Sequence, residues 1–163
     1  MFSIVAAVAV HSKGNMILFP WGYAADPPPH PNADEMSRLA YKMYWKIKTN
    51  TEDRAIYVPG TACQVFGHAE GCAAGGATDD WYSSLGIPYS YTWELPQGDS
   101  DGFHDFRLPA SNIVRVGKHL LAGFGEMAMY LSVKMNLLKD IKLKTKKYVK
   151  SQRIPEIRYG PDL

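Results

Sequence analysis

The stretch "SIVAAVAVHSKGN", Ser3–Asn15, decides the fold. Small and β-branched apolar residues run from Ile4 to Val10, the composition of a strand buried in a sheet. The run stops at His11, and a polar turn with Gly14 follows. His11 can simply close the strand and face water. It can also be delivered to a site at the strand's carboxyl end, where open α/β sheets keep their ligands. No basic residue precedes Phe2–Val10, as a secretory leader would require, so the segment reads as a core strand.

The rest of the chain supplies the elements that such a strand needs. Asn15–Tyr23 reads as a second strand ending in an aromatic turn. Pro27, Pro28, Pro29 and Pro31 forbid helix and central strand, which makes residues 24–33 an extended surface loop with His30 exposed. Asp34 reads as a helix cap. From Glu35 to Lys48 the apolar set Met36, Leu39, Ala40, Met43, Tyr44 and Ile47 recurs at three- and four-residue steps, which predicts an amphipathic helix. A short strand is expected at Ala62–Phe66. Thr78 or Asp79 can cap a short helix over Asp80–Leu85. "GIPYSYTWEL" is a strong strand, with Ile87, Tyr89, Tyr91 and Trp93 alternating with more polar neighbours and Glu94 at its end. A long helix is predicted from Gly117 to Leu138, with Leu120, Leu121, Phe124, Met127, Ala128, Leu131 and Met135 on one side. Strands interleaved with helices make an α/β fold.

Bulk properties exclude several functions. The 163 residues suffice for one domain. A net charge of +2 gives no global attraction to nucleic acid. No apolar run approaches the roughly 20 residues of a membrane span. Lysines and Arg153 dominate 139–163, read as a basic tail beyond a 1–138 domain. Cys63 and Cys72 fit either a loop-closing disulfide or two free thiols.

Four stretches resemble the zinc carboxypeptidases of the M14 family, pancreatic A/B type. "HSKGNMILFPWGY" is similar to the family's His-Ser-x-x-Gln strand and its Leu-Tyr-Pro-aromatic-Gly-Tyr turn. "AAGGATDDW" resembles its Ala-Ser-Gly-Gly-Ser-Asp-Asp-Trp loop. "GIPYSYTWEL" resembles Gly-Ile-x-Tyr-Ser-Phe-Thr-x-Glu-Leu, and "FRLPASNI" resembles Phe-x-Leu-Pro-x-Ser-x-Ile. The resemblance implies the carboxy-terminal half of an α/β/α sandwich with a mixed central sheet. It implies a secreted enzyme that removes C-terminal residues from peptides. His11 then matches a zinc ligand and Glu94 the general base. Asp79, counted back from Trp81 across one extra residue, matches the floor of the specificity pocket, with Thr92 also facing substrate.

Departures accompany the match. The family's His-x-x-Glu zinc motif occurs nowhere in the chain, nor do the arginines and asparagine that clamp the substrate carboxylate. The mobile tyrosine has no clear counterpart. Lys13, Asn15 and Pro96 replace the usual Tyr, Gln and Arg. A catalytic zinc needs three protein ligands and an open position, so the chain alone is expected to be inert as a peptidase. One expectation is a piece of a longer enzyme, with an in-frame His-x-x-Glu segment upstream. The other is a non-catalytic relative that binds peptide C-termini. A half sheet would also leave an open edge, so the chain is expected to self-associate.

Overall fold

The computed structural model describes residues 4–67, 71–97 and 106–135. The chain divides into two compact units, Met1–Met127 and Ala128–Leu163. The described part of the second is only the end of a helix and the residue after it, and the basic tail at 139–163 lies outside the described residues.

The first unit is built on a four-stranded sheet in the order β1-β4-β2-β3. These are β1 (Ala6–Ser12), β2 (Met16–Leu18), β3 (Val58–Gly60) and β4 (Tyr89–Leu95). β1 and β4 run parallel, β2 is antiparallel to β4, and β2 and β3 are parallel. The sheet is therefore mixed. The second strand is shorter than its composition suggested, because Pro20 supplies no donor to a ladder and the chain turns there. Val58–Gly60 pairs as a strand that its short, Pro-containing sequence did not announce.

Helix α1 (Ala33–Asn50) buries Met36, Leu39, Ala40, Met43 and Ile47, the stripe read from the sequence with Tyr44 at its margin. Each buried aliphatic side chain contributes roughly 1.5–3 kcal/mol by leaving water. The cap is Asn32 rather than Asp34, and its side chain makes no capping bond. It turns away instead, donating from Nδ2 to the Pro88 carbonyl at 2.5 Å.

Ala62–Val65 is a helical turn, α2, and not a strand. Thr61 accepts from Gln64 N–H while the Gln64 side chain accepts from Thr61 N–H, a reciprocal cap that closes one turn. Cys63 and Cys72 form a disulfide that closes this loop. Helix α3 (Thr78–Ser84) starts after Ala77, with no side-chain cap from Thr78 or Asp79. Helix α4 (Ile113–Lys134) begins four residues earlier than expected, and residues 136–138 of the predicted span lie outside the described set. Up to residue 127 its inward side carries Val116, His119 and Met127, while Leu121 is 76% exposed. Met127 and Leu131 are buried as the sequence predicted, whereas Leu121 and Ala128 are not, so the inward stripe is partly rotated from the expected one. Gly123 explains the rotation: a Cβ there would collide with the Trp93 ring.

Strand alternation sends Tyr91 and Trp93 to one face of β4 and Ser90, Thr92 and Glu94 to the other. The first pair is fully buried, Tyr91 donating to the Met36 carbonyl of α1 at 3.0 Å and Trp93 stacking edge-on against Phe124 of α4. Across the sheet, α3 packs on β1 and β4. Ala7 and Ala9, register partners of Ser90 and Thr92, are small enough to admit it.

Candidate active site

His11 and Glu94 are register partners on the parallel strands β1 and β4, so their side chains leave the sheet on the same face. His11 Nδ1 lies 3.2 Å from Glu94 Oε2. The imidazole is open to solvent, at 68% exposure, and the carboxylate is largely covered, at 14%. Two residues back on β4 and on the same face, Thr92 Oγ1 donates to Asp79 Oδ1 at 2.9 Å. All four residues singled out from the sequence therefore stand in two adjoining pairs on one side of the sheet.

The pairs differ electrically. Asp79 is 3% exposed, and no cation pairs with it among the described residues. Burial pushes its carboxyl up; the Thr92 hydroxyl pulls it down, and the neighbouring Asp80 raises it again. Backbone N–H groups of Asp79 and Asp80 also favour its charged form. A buried carboxylate with no cation beside it is a place where an incoming cation gains most, because the desolvation of the anion has already been met by the fold.

Asp80 does a different job. Both of its oxygens accept from Gly22 N–H, at 3.0 and 3.2 Å, and the Gly22 carbonyl accepts from Ala74 N–H at 2.7 Å. One residue thereby ties α3, the aromatic turn and the Gly-rich loop together. Sequence reading missed this anchor, although a second acid in the first turn of a short helix was its signal. It also placed His30 in water. The ring is half-buried, 4.8 Å from the Trp21 ring and 2.7 Å from Ser83 Oγ.

A third cluster lies on the other side of the sheet. His119, with no exposed surface, is flanked by Asp53 Oδ2 at 2.9 Å from Nε2 and by the Tyr57 hydroxyl at 3.1 Å from Nδ1. Arg115 Nη1 reaches Asp53 Oδ2 at 2.9 Å. Burial alone would raise Asp53, but hydrogen bonds from Arg115 and His119 outweigh it and hold the carboxyl at about 2. Burial pushes the Tyr57 hydroxyl up. A cavity of about 280 Å³ beside it is lined by residues including Thr51, Asp53, Ser111 and Arg115. His119 sits one turn from Val116 and Gly123 on the inward stripe, a spacing that the bulkier leucines masked.

Residues 2–123 match the family profile described as zinc carboxypeptidase. The chain belongs to the zinc carboxypeptidase family. It is 33% identical to carboxypeptidase B of Helicoverpa zea over 117 residues, 71% of this chain and 26% of that protein. It is 30% identical to the inactive metallocarboxypeptidase ECM14 of Ajellomyces dermatitidis, over 78% of this chain and 22% of the relative. Among solved structures it is similar to bovine thrombin-activatable fibrinolysis inhibitor in complex with tick carboxypeptidase inhibitor. That likeness has a TM-score of 0.66 and 26% identity, covering 80% of this chain and 40% of the other. The chain thus spans about a quarter of the length of the curated carboxypeptidases it matches. The mixed four-stranded sheet agrees with the fold expected from the motifs.

Membership of this zinc carboxypeptidase family implies a zinc ion, and the described residues do not fit one by themselves. They hold no group of three or more His, Cys, Asp or Glu side chains placed to share a metal. His11 and Glu94 offer one imidazole and one carboxylate, short of the three protein ligands a catalytic zinc takes. No helix of the described residues is long and apolar enough to cross a membrane.

Proposed function

We propose that the chain carries the substrate-reading and proton-handling side of a metallocarboxypeptidase site, and that on its own it binds peptide C-termini without cleaving them. The buried, cation-free Asp79 under Thr92 is the observation that supports this reading most. A terminal Lys or Arg side chain entering beside Thr92 would meet a carboxylate already stripped of water, so basic C-terminal residues are the preferred ligands. Glu94 is the proton acceptor for an attacking water and returns that proton to the departing amine. The neighbouring imidazole restricts where its carboxylate points. His11 would be the nitrogen donor to a zinc ion, should its other ligands, which the described residues do not supply, come from elsewhere. Like the family's digestive members, the whole protein would act outside the cell.

Isothermal titration of the 163-residue chain with peptides ending in Lys, Arg or Leu tests the reading. Binding of the first two and not the third is expected, without release of the terminal residue. Equal affinity for all three would remove Asp79 from the pocket. The non-catalytic alternative has support in the match to an inactive relative and in the missing metal set. Joining a His-x-x-Glu segment from a related carboxypeptidase separates the two. One zinc per chain and turnover would favour the enzyme; binding with neither would favour the binder.

β1 is the outer strand of the sheet among the described residues. Ile4, just before it, is 67% exposed and Val10, within it, is 47% exposed. We infer that this edge pairs chains with one another. Val10→Lys should then shift the chain towards monomer in sedimentation, and an unchanged distribution would place the contact elsewhere.

A further inference from the structure

His30 is held at both ring nitrogens. Nδ1 lies 2.9 Å from Asn32 N–H, a backbone donor, so that nitrogen accepts and carries no proton. Nε2 carries the proton and donates to Ser83 Oγ at 2.7 Å. The hydrogen-bond partners therefore define one neutral tautomer. Asn32 is in turn committed at its side chain, which donates to the Pro88 carbonyl one residue before β4 begins. Ser83 belongs to α3, which carries Asp79.

We propose that His30 is a positioning residue that works only as a neutral imidazole: it clasps the start of α1, helix α3 and the start of β4 together, and protonation opens the clasp. The imidazolium would set an Nδ1–H donor against the Asn32 N–H donor, and the ring cannot keep both contacts. Burial lowers the affinity of this imidazole for a proton, and the charge of Asp80 on α3 partly opposes that. Around the ring, α3 contributes Asp80 and Ser83, and the aromatic turn contributes Trp21. The first turn of α1 carries Asp34 and Glu35, of which Glu35 is engaged by Arg38 and Tyr89. The clasp is complete above the ordinary imidazole value of 6.5, and its contribution is lost as pH falls below that value. Because α3 holds Asp79 and β4 holds Thr92, the pocket loosens with it. Only this last step rests on the reading of Asp79 as substrate-facing.

The full chain is titrated from pH 8 to 5 by NMR, following the His30 ring together with the Asn32 and Ser83 amides. Both amides should move with the midpoint of the His30 ring, and Asn32 should lose exchange protection after correction for intrinsic rates. His30→Asn keeps an acceptor within reach of the Asn32 N–H, as in an Asx turn, but cannot titrate. The step at Asn32 should vanish in that variant. Amides that move at a different midpoint, or a step that survives in His30→Asn, would overturn the clasp. Affinity for a Lys-terminated peptide is measured over the same range. A fall in affinity at the His30 midpoint in the native chain but not in His30→Asn supports coupling to the pocket; the same fall in both assigns it to Asp79 and removes the coupling. If no peptide binds at any pH, the Asp79 reading fails, and the amide titration still decides the clasp.

Discussion

The two faces of β4 are made from alternate residues of one seven-residue strand, yet they obey opposite rules. Tyr91 and Trp93 are fully buried against α1 and α4, and the polar cluster on that side is densely paired, His119 between Asp53 and Tyr57. On the other face Thr92 and Glu94 meet Asp79 and His11, with a buried carboxylate that has no cation beside it and an imidazole left in solvent. Buried polar groups normally find partners, because an unmade hydrogen bond costs about 1–3 kcal/mol. On the first face the His119 cluster follows that rule, with the unpartnered Trp93 indole N–H as its exception, and the face makes stability. The second leaves charge uncompensated, as sites that receive ligands do.

The largest effect should come from the core face. Trp93→Ala removes a fully buried indole that touches Tyr57 and Phe124. It should cost about 3–5 kcal/mol in chemical denaturation. Thr92→Val, on the site face of the same strand, should cost far less. Similar losses for the two would break the division of labour between the faces.

Asp79→Asn should act in two directions. Binding of Lys- or Arg-terminated peptides should weaken by about 2–5 kcal/mol, the usual cost of removing one member of a buried charge pair. The fold itself should become more stable at neutral pH. A carboxyl raised in the folded state is destabilising once ionised, so stability falls as pH rises from the ordinary carboxylate value through the raised one. Asn abolishes that loss. A variant that keeps its affinity, or is less stable at pH 7, would contradict the contrast.

Gly123→Ala tests the core face from α4. The added methyl meets the Trp93 ring, and overpacking of this kind costs about 1–3 kcal/mol. Gly125, one turn-face away with nothing near its missing Cβ, is the control. Gly125→Ala should be neutral or stabilising, and an equal gain at the two sites would show that helix propensity, not the close approach, governs.

Much of this contrast was readable before any coordinates. Period-2 alternation in "GIPYSYTWEL" separates Tyr91 and Trp93 from Thr92 and Glu94, and the α1 stripe is explicit in its three- and four-residue steps. The motif order pointed to the family. What escaped is non-local or small. Ala62–Val65 carries strand-like residues but is closed by the Thr61–Gln64 cap, a reciprocal pair of side-chain-to-backbone bonds that outweighs intrinsic preference over one turn. The spacing of Cys63 and Cys72 permitted two states, and only the folded loop brings the sulfurs into bonding distance. His30 reads as a surface residue in sequence, and nothing local marks His119, because their partners are 53 and 62 positions away. Burial of a histidine is decided by such distant partners, and local pattern has no access to them.

The smallest effect separates the faces by pH. Asp53 and Asp79 are the same residue type with opposite displacements: the first is held down at about 2, the second is pushed up by burial. For Asp53 the unfolded chain binds protons more readily than the folded one, so its contribution is present above the ordinary value near 3.8 and is lost as pH falls towards 2. For Asp79 the sign reverses, and acidification relieves a cost. Asp53 is solvent-accessible, so screening should hold its share below about 1 kcal/mol. Asp53→Asn should therefore lower stability slightly at pH 6 and flatten the acid limb between pH 4 and 2. Asp79→Asn should leave that limb as it is and instead remove the gain in stability that acidification brings above about 3.8, where its raised carboxyl takes up its proton. Thermal unfolding of both variants across pH 2–6 would read the two slopes. Parallel slopes would mean that the site face carries no more uncompensated charge than the core face.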